Sequence, residues 1–343
     1  MTAKINFNIR IGVVLAAMMC SITSFAQDIH FSQFFEAPLL RNPSLAGIYT
    51  GDIRVQAVYR DQWNSVTTAY KTGSLNAEYK MPVGKGDDFL TTGLQIMYDK
   101  AGTAVLSATH ILPALNYHKS LSTETNRYLS LGFMAGPVQR RIDRSKMTTN
   151  SQYDGLGDGE NFESNSYTYF DGAVGMSFNS QLTENKDDNF FIGLAYHHFN
   201  KPKNSFYRHD VFTLAPKWVG SVGVKFGVTD LSYITLQADH STQGKFQETV
   251  AGAMYGVKLG ETPDGPLYTL HAGAFMRLED AFIPVIKLDY TPFSVSLSYD
   301  VNISKLKTSS LGRGGFELGI SYIGFIKRKK GNSAIDATLC PRF

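Results

Sequence analysis

Charged side chains that could do chemistry lie within short stretches where apolar residues alternate with polar or small ones. A carboxylate beside a cation or a histidine could carry acid–base catalysis, and grouped cations could bind an anionic solute. The charged residues on these stretches are Arg54, Glu78, Lys225, Asp239, Arg277, Lys287, Asp289 and Glu317. Because both signs are interleaved, we predict ion pairs and hydrogen bonds that fill an interior, and a specific substrate site is the alternative.

Two pairs of histidines are candidates for metal ligation. His197 and His198 are adjacent on a predicted strand and would point to opposite faces, so they could not hold one ion together. His110 and His118 share a face but lie too far apart along their strand. The acidic, glycine-rich stretch around Gly157 resembles calcium loops in composition, but its spacing does not match one, and an exposed loop is favoured.

Sequence motifs of common enzymes are absent. The chain contains no G-x-S-x-G elbow, no P-loop and no dinucleotide-binding fingerprint. A spatial Ser–His dyad, as in a barrel phospholipase, stays open as an alternative because serines and histidines are plentiful. We predict no catalytic residue, no metal and no cofactor.

The elements that must position these side chains have a period of two. In Phe293–Val301 every odd position is apolar and every even position is Ser or Asp, which places the two classes on opposite faces of a strand. After residue 26 no segment has the ~20 continuous apolar residues that a spanning helix needs. Together with a secretory leader, many glycines and aromatic residues at strand ends, this pattern predicts a transmembrane antiparallel β-barrel, all-β, of about fourteen strands.

The leader extends from Met1 to Ala26. It has cationic Lys4 and Arg10, an apolar run and a small-residue end, which predicts a secretory signal peptide cleaved before Gln27. Bulky Met19 before Cys20 disfavours the alternative, a lipoprotein signal. Cleavage would leave Cys340 as the only cysteine, which excludes an internal disulfide.

Four regions follow from this reading. We predict a signal peptide at residues 1–26, a periplasmic plug or docking segment at 27–52, the barrel at 53–326 and a periplasmic tail at 327–343. An even strand count places both termini in the periplasm of an outer membrane. The longest predicted connections, 141–168, 199–217 and 302–315, all fall on the outer side of this topology.

The strand faces can be assigned from the same alternation. Ile234, Leu236 and Ala238 should face lipid, and Thr235, Gln237 and Asp239 should face the lumen. A charge near the midplane of the lipid face costs roughly 2–4 kcal/mol, so the charged residues named above are assigned to the lumen.

The mature N-terminal stretch Gln27–Gly47 resembles the opening motif of the PorP/SprF family of type IX secretion system membrane proteins. Three further matches follow in order, Tyr59–Trp63, His198–Pro202 and the terminal Cys340–Phe343. The resemblance implies a non-enzymatic outer-membrane protein of Bacteroidetes. Such a protein supports export or surface attachment of a large secreted protein with a type IX C-terminal domain, including gliding adhesins.

The two ends of the mature chain are the candidate partner-binding segments. Prolines and Asn42 predict turns in the opening motif, whose aromatic side chains need burial, with the periplasmic mouth of the barrel in reach. A partner-docking segment and a lid that only seals the barrel both fit. The candidate residues are Phe31, Phe34, Phe35, Pro38, Asn42, Pro43, Cys340, Pro341, Arg342 and Phe343.

The expected partners are the secreted cargo, periplasmic or outer-membrane secretion and gliding components, and the lipid bilayer. The formal net charge of +3 gives no indication of nucleic-acid binding. An outer-membrane solute channel is the alternative function. The mixed signs of the lumenal charges, together with Met97, Leu112 and Phe275, indicate an obstructed lumen instead.

Overall fold

The computed structural model of the protein describes residues 28–326, apart from 63–68, 85, 123–124, 148–151, 153–154, 156–163, 186, 208–211, 261–265, 305–306 and 311. The signal peptide and the tail predicted from the sequence therefore lie outside the described residues. The strands are β1 (Ile53–Gln62), β2 (Tyr70–Pro82), β3 (Phe89–Ala101), β4 (Leu106–Ser120), β5 (Arg127–Arg141), β6 (Ser166–Gln181), β7 (Asn189–His197), β8 (Lys217–Thr229), β9 (Ser232–Gln243), β10 (Phe246–Leu259), β11 (Tyr268–Arg277), β12 (Ala281–Tyr290), β13 (Phe293–Asn302) and β14 (Arg313–Gly324).

These strands form one closed barrel. Each strand pairs antiparallel with its neighbours in sequence, and β1 closes the ring against β14. This confirms the predicted fold. In the described part of the chain, no helix has the length and apolar character needed to cross a membrane.

The two faces of the wall follow the sequence alternation. Leu236 is 44% exposed on the outer face, whereas Thr235 and Gln237 are buried on the lumenal face. Leu75 and Tyr79 likewise face outward, and Glu78 between them is buried. The predicted face assignments are confirmed because a closed barrel forces every strand to expose one side to lipid and the other to the lumen.

The barrel has two distinct ends. Residues 63–69, 102–105, 142–165, 198–216, 244–245, 278–280 and 303–312 connect strands at one end, here called the long-loop end. Residues 83–88, 121–126, 182–188, 230–231, 260–267 and 291–292 connect them at the other, the short-turn end, where β1 begins and β14 ends. The two longest connections, 142–165 and 198–216, share the long-loop end, as the sequence predicts.

Residues 28–52, here called the plug, fill the lumen. Two of its short helical turns begin with proline, Pro38–Arg41 and Pro43–Leu45, since the fixed backbone angle of proline suits the first turn. The side chain of Asn42 caps the second turn by accepting a hydrogen bond from the backbone amide of Ser44 at 2.9 Å. The predicted turns are therefore present, and they stack inside the barrel.

Candidate functional site

The plug enters the lumen at the long-loop end. The carboxylate of Asp28 lies 3.3 Å from Nε2 of His198 and 3.5 Å from Nζ of Lys217, and its backbone amide donates to Gln243 at 3.1 Å. All three partners lie at or next to the ends of strands on the long-loop side. The sequence analysis predicts this segment at the periplasmic mouth, whereas the structure extends it through the lumen from the short-turn end to the long-loop end.

His198 is oriented differently from the sequence expectation. It follows the last residue of β7 with a backbone φ of +57°, which turns its side chain inward beside that of His197. Nδ1 of His198 lies 2.8 Å from a carboxylate oxygen of Asp171. The prediction that His197 and His198 point to opposite faces is wrong, because strand alternation ends at His197.

The entrance of the plug is an ionised cluster. Burial by itself would lower the pKa of His198, but hydrogen bonds to Asp171 and Asp28 raise it to about 9. Burial would raise the pKa of Asp28, yet Lys217 and His198 hold it well below its usual value. At neutral pH, His198 and Asp28 therefore form a charged pair that ties the plug to the wall.

The next contact down the lumen is a carboxylate on β14 that binds backbone amides of the plug. Glu317 accepts hydrogen bonds from the amides of Ser32 and Gln33, each at 2.7 Å. The hydroxyl of Ser32 donates to Asp300 at 2.8 Å. Arg60 lies 3.0 Å from Asp300 and 3.2 Å from Glu317, and Arg277 lies 2.6 Å from Asp300, so two cations face the two acids.

The middle of the plug is held by a second charged pair. Nε and Nη2 of Arg41 lie 2.6 and 2.5 Å from the two carboxylate oxygens of Asp239 on β9. The same guanidinium lies over the ring of Phe34, 4.6 Å from its centroid. His197 contacts the carbonyl oxygen of Arg41 at 3.1 Å. This bidentate geometry fixes the orientation of the Pro38–Arg41 turn.

Aromatic side chains of the plug pack on the lumenal wall. The rings of Phe34 and Phe35 lie 5.3 and 5.4 Å from that of Phe275 on β11. Phe31 joins Val58 and Met97 in a separate buried cluster. The apolar lumenal residues that the sequence indicated as an obstruction are thus the sites where the plug packs.

The plug lies directly against the wall at two glycines. A Cβ on Gly132 of β5 would overlap the backbone of Pro43 and Ser44, and one on Gly175 of β6 would overlap the side chain of Asn42. On β4, Nδ2 of Asn116 donates to the carbonyl oxygens of Ser44 and Ala46 at 2.6 and 2.7 Å. The absence of a side chain at both glycines therefore allows the Pro43–Leu45 turn to pack directly against the barrel wall.

The plug leaves the lumen at the short-turn end. Glu78 of β2 accepts the amide of Gly47 at 2.7 Å and pairs with Arg54 at the same distance. Lys80 binds the carbonyl oxygen of Tyr49, and its ammonium lies 4.2 Å from the ring centroid of that tyrosine. The chain then enters β1 at Ile53. The plug is thus bonded to the wall along its whole length.

A vestibule of about 450 Å³ opens below the plug at the short-turn end. Phe35, Glu36, Ile48 and Tyr49 of the plug are among the residues that line it. Its charged side chains are paired, with Asp187 between Lys225 and Lys258 at 2.9 and 2.5 Å, and Lys287 at 2.7 Å from Glu36. The described residues contain no group of three or more His, Cys, Asp or Glu arranged to hold a metal ion.

The structure brings six of the ten predicted site residues together. Phe31, Phe34, Phe35, Pro38, Asn42 and Pro43 are all buried in the plug. A partner could touch them only after the plug moved. The other four, Cys340, Pro341, Arg342 and Phe343, lie outside the described residues.

The wall residues that hold the plug were only partly identified from the sequence. Glu78, Asp239 and Glu317 were assigned to the lumen, where they prove to bind the plug. Asp300 and Arg60 were not assigned, although both occupy lumenal positions in the alternation of their strands. The alternation along each strand indicates that these side chains face the lumen. Nothing in the sequence indicates that they bind the plug there.

Comparison with known proteins adds the family to this geometry. The family model for the type IX secretion system membrane protein PorP/SprF matches residues 23–322. The chain belongs to the PorP/SprF family. The resemblance seen in the opening motif is confirmed, and family and fold together assign the protein to the outer membrane. A search of curated proteins found no match.

Solved structures similar to this PorP/SprF chain are outer-membrane barrels. The toluene transporter TodX of Pseudomonas putida has a TM-score of 0.50 at 10% identity, with 87% of this chain and 98% of that one covered. The CymD monoaromatic hydrocarbon channel has a TM-score of 0.48 at 11% identity, with 85% and 93% covered. The translocator domain of autotransporter NalP from Neisseria meningitidis has a TM-score of 0.42 at 10% identity, with 85% and 95% covered. At such identities the likeness concerns the fold alone.

Proposed function

We propose that this protein is a plugged barrel of the type IX secretion and gliding system that supports export and cell-surface attachment of a large adhesin-like cargo. The cargo would carry a type IX C-terminal domain. The observation that carries the proposal is the plug, which occupies the lumen from Asp28 to Tyr49 and is bonded to the wall throughout. A barrel filled in this way suits rigid attachment better than conduction.

The orientation is part of the proposal. Barrels of this class have short periplasmic turns and longer outer loops, so the long-loop end faces the cell exterior and the short-turn end faces the periplasm. The signal peptide at residues 1–26 is removed during export. The tail from residue 327 starts at the short-turn end and is therefore periplasmic, whereas the plug begins at the outer mouth.

The described part of the 198–216 connection offers a surface for the cargo at the long-loop end. Lys203 and Thr213 form an antiparallel bridge within the 198–216 connection, and the hydroxyl of Tyr167 on β6 donates to Asn204 at 2.5 Å. Phe212 is 65% exposed on this connection. An exposed aromatic side chain on a braced loop is the kind of anchor that protein interfaces use.

The periplasmic face offers the vestibule and the tail. The vestibule has paired charges beside apolar side chains, which suits an extended segment of a secretion or gliding component. Phe325, just after β14, lines that cavity, and we place the predicted tail with Cys340, Pro341, Arg342 and Phe343 on the same face. We assign these two features to periplasmic partners and the outer loops to the cargo.

The proposed role is not enzymatic. Glu317, Asp239 and His198 bind the plug, and the Ser130 hydroxyl that lies 2.7 Å from Nδ1 of His118 is fully buried, as is His118. Lipid hydrolysis would require a nucleophile on an accessible surface, and phospholipid turnover in detergent micelles tests for it.

A solute channel is the second candidate, and the vestibule is the observation that favours it. A path starting there would have to continue past Phe35, Glu36 and Tyr49, so conduction would require the plug to leave. Single-channel recording on planar bilayers separates the two functions. Wild-type protein should be silent, and a variant lacking residues 28–50 should conduct.

Deletion of the gene supplies the cellular test. Loss of one or a few large surface proteins, with nutrient uptake and lipid composition unchanged, is the expected result. Re-expression of the wild type should restore surface display. Broad loss of small-molecule uptake with normal surface proteins, together with conductance of the wild type, would replace the attachment role with the channel.

A further inference from the structure

Three cations form a row on the lipid-facing side of the barrel at the long-loop end. Lys71 of β2 is paired in register with Lys100 of β3, Lys100 with Ser107 of β4, and Ser107 with Arg141 of β5. The inward positions beside them are occupied by other residues, including Thr72 and Arg140. Adjacent strands lie about 4.8 Å apart, so the row spans roughly 14 Å of the outer wall.

The cations of this row are poorly neutralised by protein groups. Lys71 lies 3.9 Å from Asp61, at the outer limit of an ion pair, and half of its side chain is exposed. Within the described residues, Lys100 and Arg141 have no ion pair. Like charges directly opposite each other on one face destabilise a sheet. An anion bound between Lys71 and Lys100 would relieve this repulsion.

The surface below the row is apolar. Four residues from Lys100 towards the barrel centre, Ile96 is exposed on the same face of β3, and Leu75 and Ile111 are exposed on the neighbouring strands. Ile96 is in register with both Leu75 and Ile111. These three residues lie four positions along their strands from Lys71, Lys100 and Ser107, which is about 13 Å, and Tyr98, 48% exposed on the same face, lies between the row and Ile96.

We propose that Lys71, Lys100 and Arg141 bind the phosphate groups of a phosphorylated outer-leaflet glycolipid of the lipid A class, whose acyl chains lie on Leu75, Ile96 and Ile111. The proposal rests on the outward orientation of the long-loop end given under Proposed function. A lipid headgroup fits better than free phosphate because charge and apolar surface are continuous on one face. The bound lipid would hold this sector of the barrel at a fixed depth in the outer leaflet.

The test is native mass spectrometry of the purified full chain in detergent, with added diphosphoryl lipid A. The variant is Lys100→Gln with Arg141→Gln. The matched control is Lys119→Gln with Arg127→Gln, which removes two outward cations from the short-turn end of the same sector. Each cation near a lipid surface contributes about fivefold in affinity, so the dissociation constant of the row variant should rise roughly 25-fold. The control should bind as the wild type does.

Two further ligands distinguish the source of the phosphate. Dephosphorylated lipid A should bind the wild type as weakly as phosphorylated lipid A binds the row variant. Inorganic phosphate alone should neither bind nor compete at the same concentration. Equal binding of lipid A by the wild type and the row variant would overturn the proposal. So would equal binding of phosphorylated and dephosphorylated lipid A by the wild type. Competition by inorganic phosphate would overturn the lipid assignment and leave only a site for anions.

The outcome is independent of the cargo function. Binding in detergent does not depend on which way the barrel faces, and surface display of cargo is a separate measurement. Heat-modifiable migration on gels verifies that each variant is folded. If the double variant does not fold, Arg141→Gln alone should raise the dissociation constant about fivefold, and an unchanged value would count against the row.

Discussion

The carboxylate of Glu317 accepts the backbone amide of Ser32 at 2.7 Å, although 285 residues separate them. One belongs to the last strand of the barrel and the other to the segment that precedes the first. This contact connects the plug to the β1–β14 closure, because Arg60 of β1 neutralises Glu317 from the other side of that seam. Plug seating and barrel closure are therefore coupled.

The first prediction concerns this contact. Glu317→Gln removes one of the two acids beside buried Arg60, which keeps Asp300 at 3.0 Å, and it weakens two amide contacts, so the free energy of unfolding should fall by about 1–3 kcal/mol. Heat-modifiable migration on gels should show a lower transition temperature, and bilayer recordings should show intermittent conductance. Lys119→Gln, an exposed change on the outer wall, should do neither. An unchanged transition and a silent bilayer would mean that Glu317 does not hold the plug.

A second prediction concerns the direction of the plug. An epitope placed between Gln27 and Asp28 should be labelled on intact cells, because Asp28 lies at the long-loop end. Insertion near Gly155 should also be labelled, whereas insertion near Asp230 should not. Protection of the N-terminal epitope together with labelling at Asp230 would reverse the orientation. Protection at Gln27 alone would show that the plug does not reach the outer mouth.

A third prediction uses the close approach at Gly132. Gly132→Ala places a Cβ where the backbone of Pro43 and Ser44 lies, so strain should lower the free energy of unfolding by about 1–3 kcal/mol and loosen the plug. Gly73→Ala is the matched control, since a Cβ there meets nothing within 4 Å. Protease sensitivity of the plug in detergent measures the effect. Equal sensitivity of the two variants would exclude tight seating at Gly132.

The fourth prediction is a pH range for the entrance of the plug. The raised pKa of His198, about 9 against 6.5 for the free side chain, stabilises the fold fully below pH 6.5, and this contribution is lost as pH rises through 9. The depressed pKa of Asp28 stabilises the fold fully above pH 3.8, and this contribution is lost as the pH falls through the lowered pKa. Accessibility of an epitope at Gln27 to protease should therefore rise above about pH 9.

His198→Asn is the test of that assignment. The variant should show no alkaline step, and its plug entrance should be as accessible at pH 7 as that of the wild type is above pH 9. Persistence of the step in the variant would assign it to another group.

The fifth prediction concerns the tail. Removing Cys340–Phe343 should leave a heat-modifiable, membrane-inserted barrel and reduce surface cargo or co-purifying periplasmic partners. Failure of insertion would make Phe343 part of an assembly signal. No change in either property would shift the partner surface to the plug or the outer loops.

The barrel could be predicted from the sequence because its information is local. In Phe293–Val301 each residue's face follows from its neighbours, and the same rule placed Glu317 and Asp239 in the lumen. The path of the plug could not be predicted, since it has no period and its partners lie hundreds of residues away. His198 shows the limit most clearly, because one positive φ reverses what alternation implies for its side chain.

The passage of the plug through the ring has a mechanical consequence. Its upstream end lies at one mouth, while its downstream end is covalently continuous with β1 at the other. Tension applied at Asp28 from the long-loop end can unravel the segment but leaves it threaded, because Ile53 belongs to the wall. Tension from the short-turn end withdraws the segment and empties the barrel. The fold thus resists drag towards the long-loop end and yields to drag towards the short-turn end.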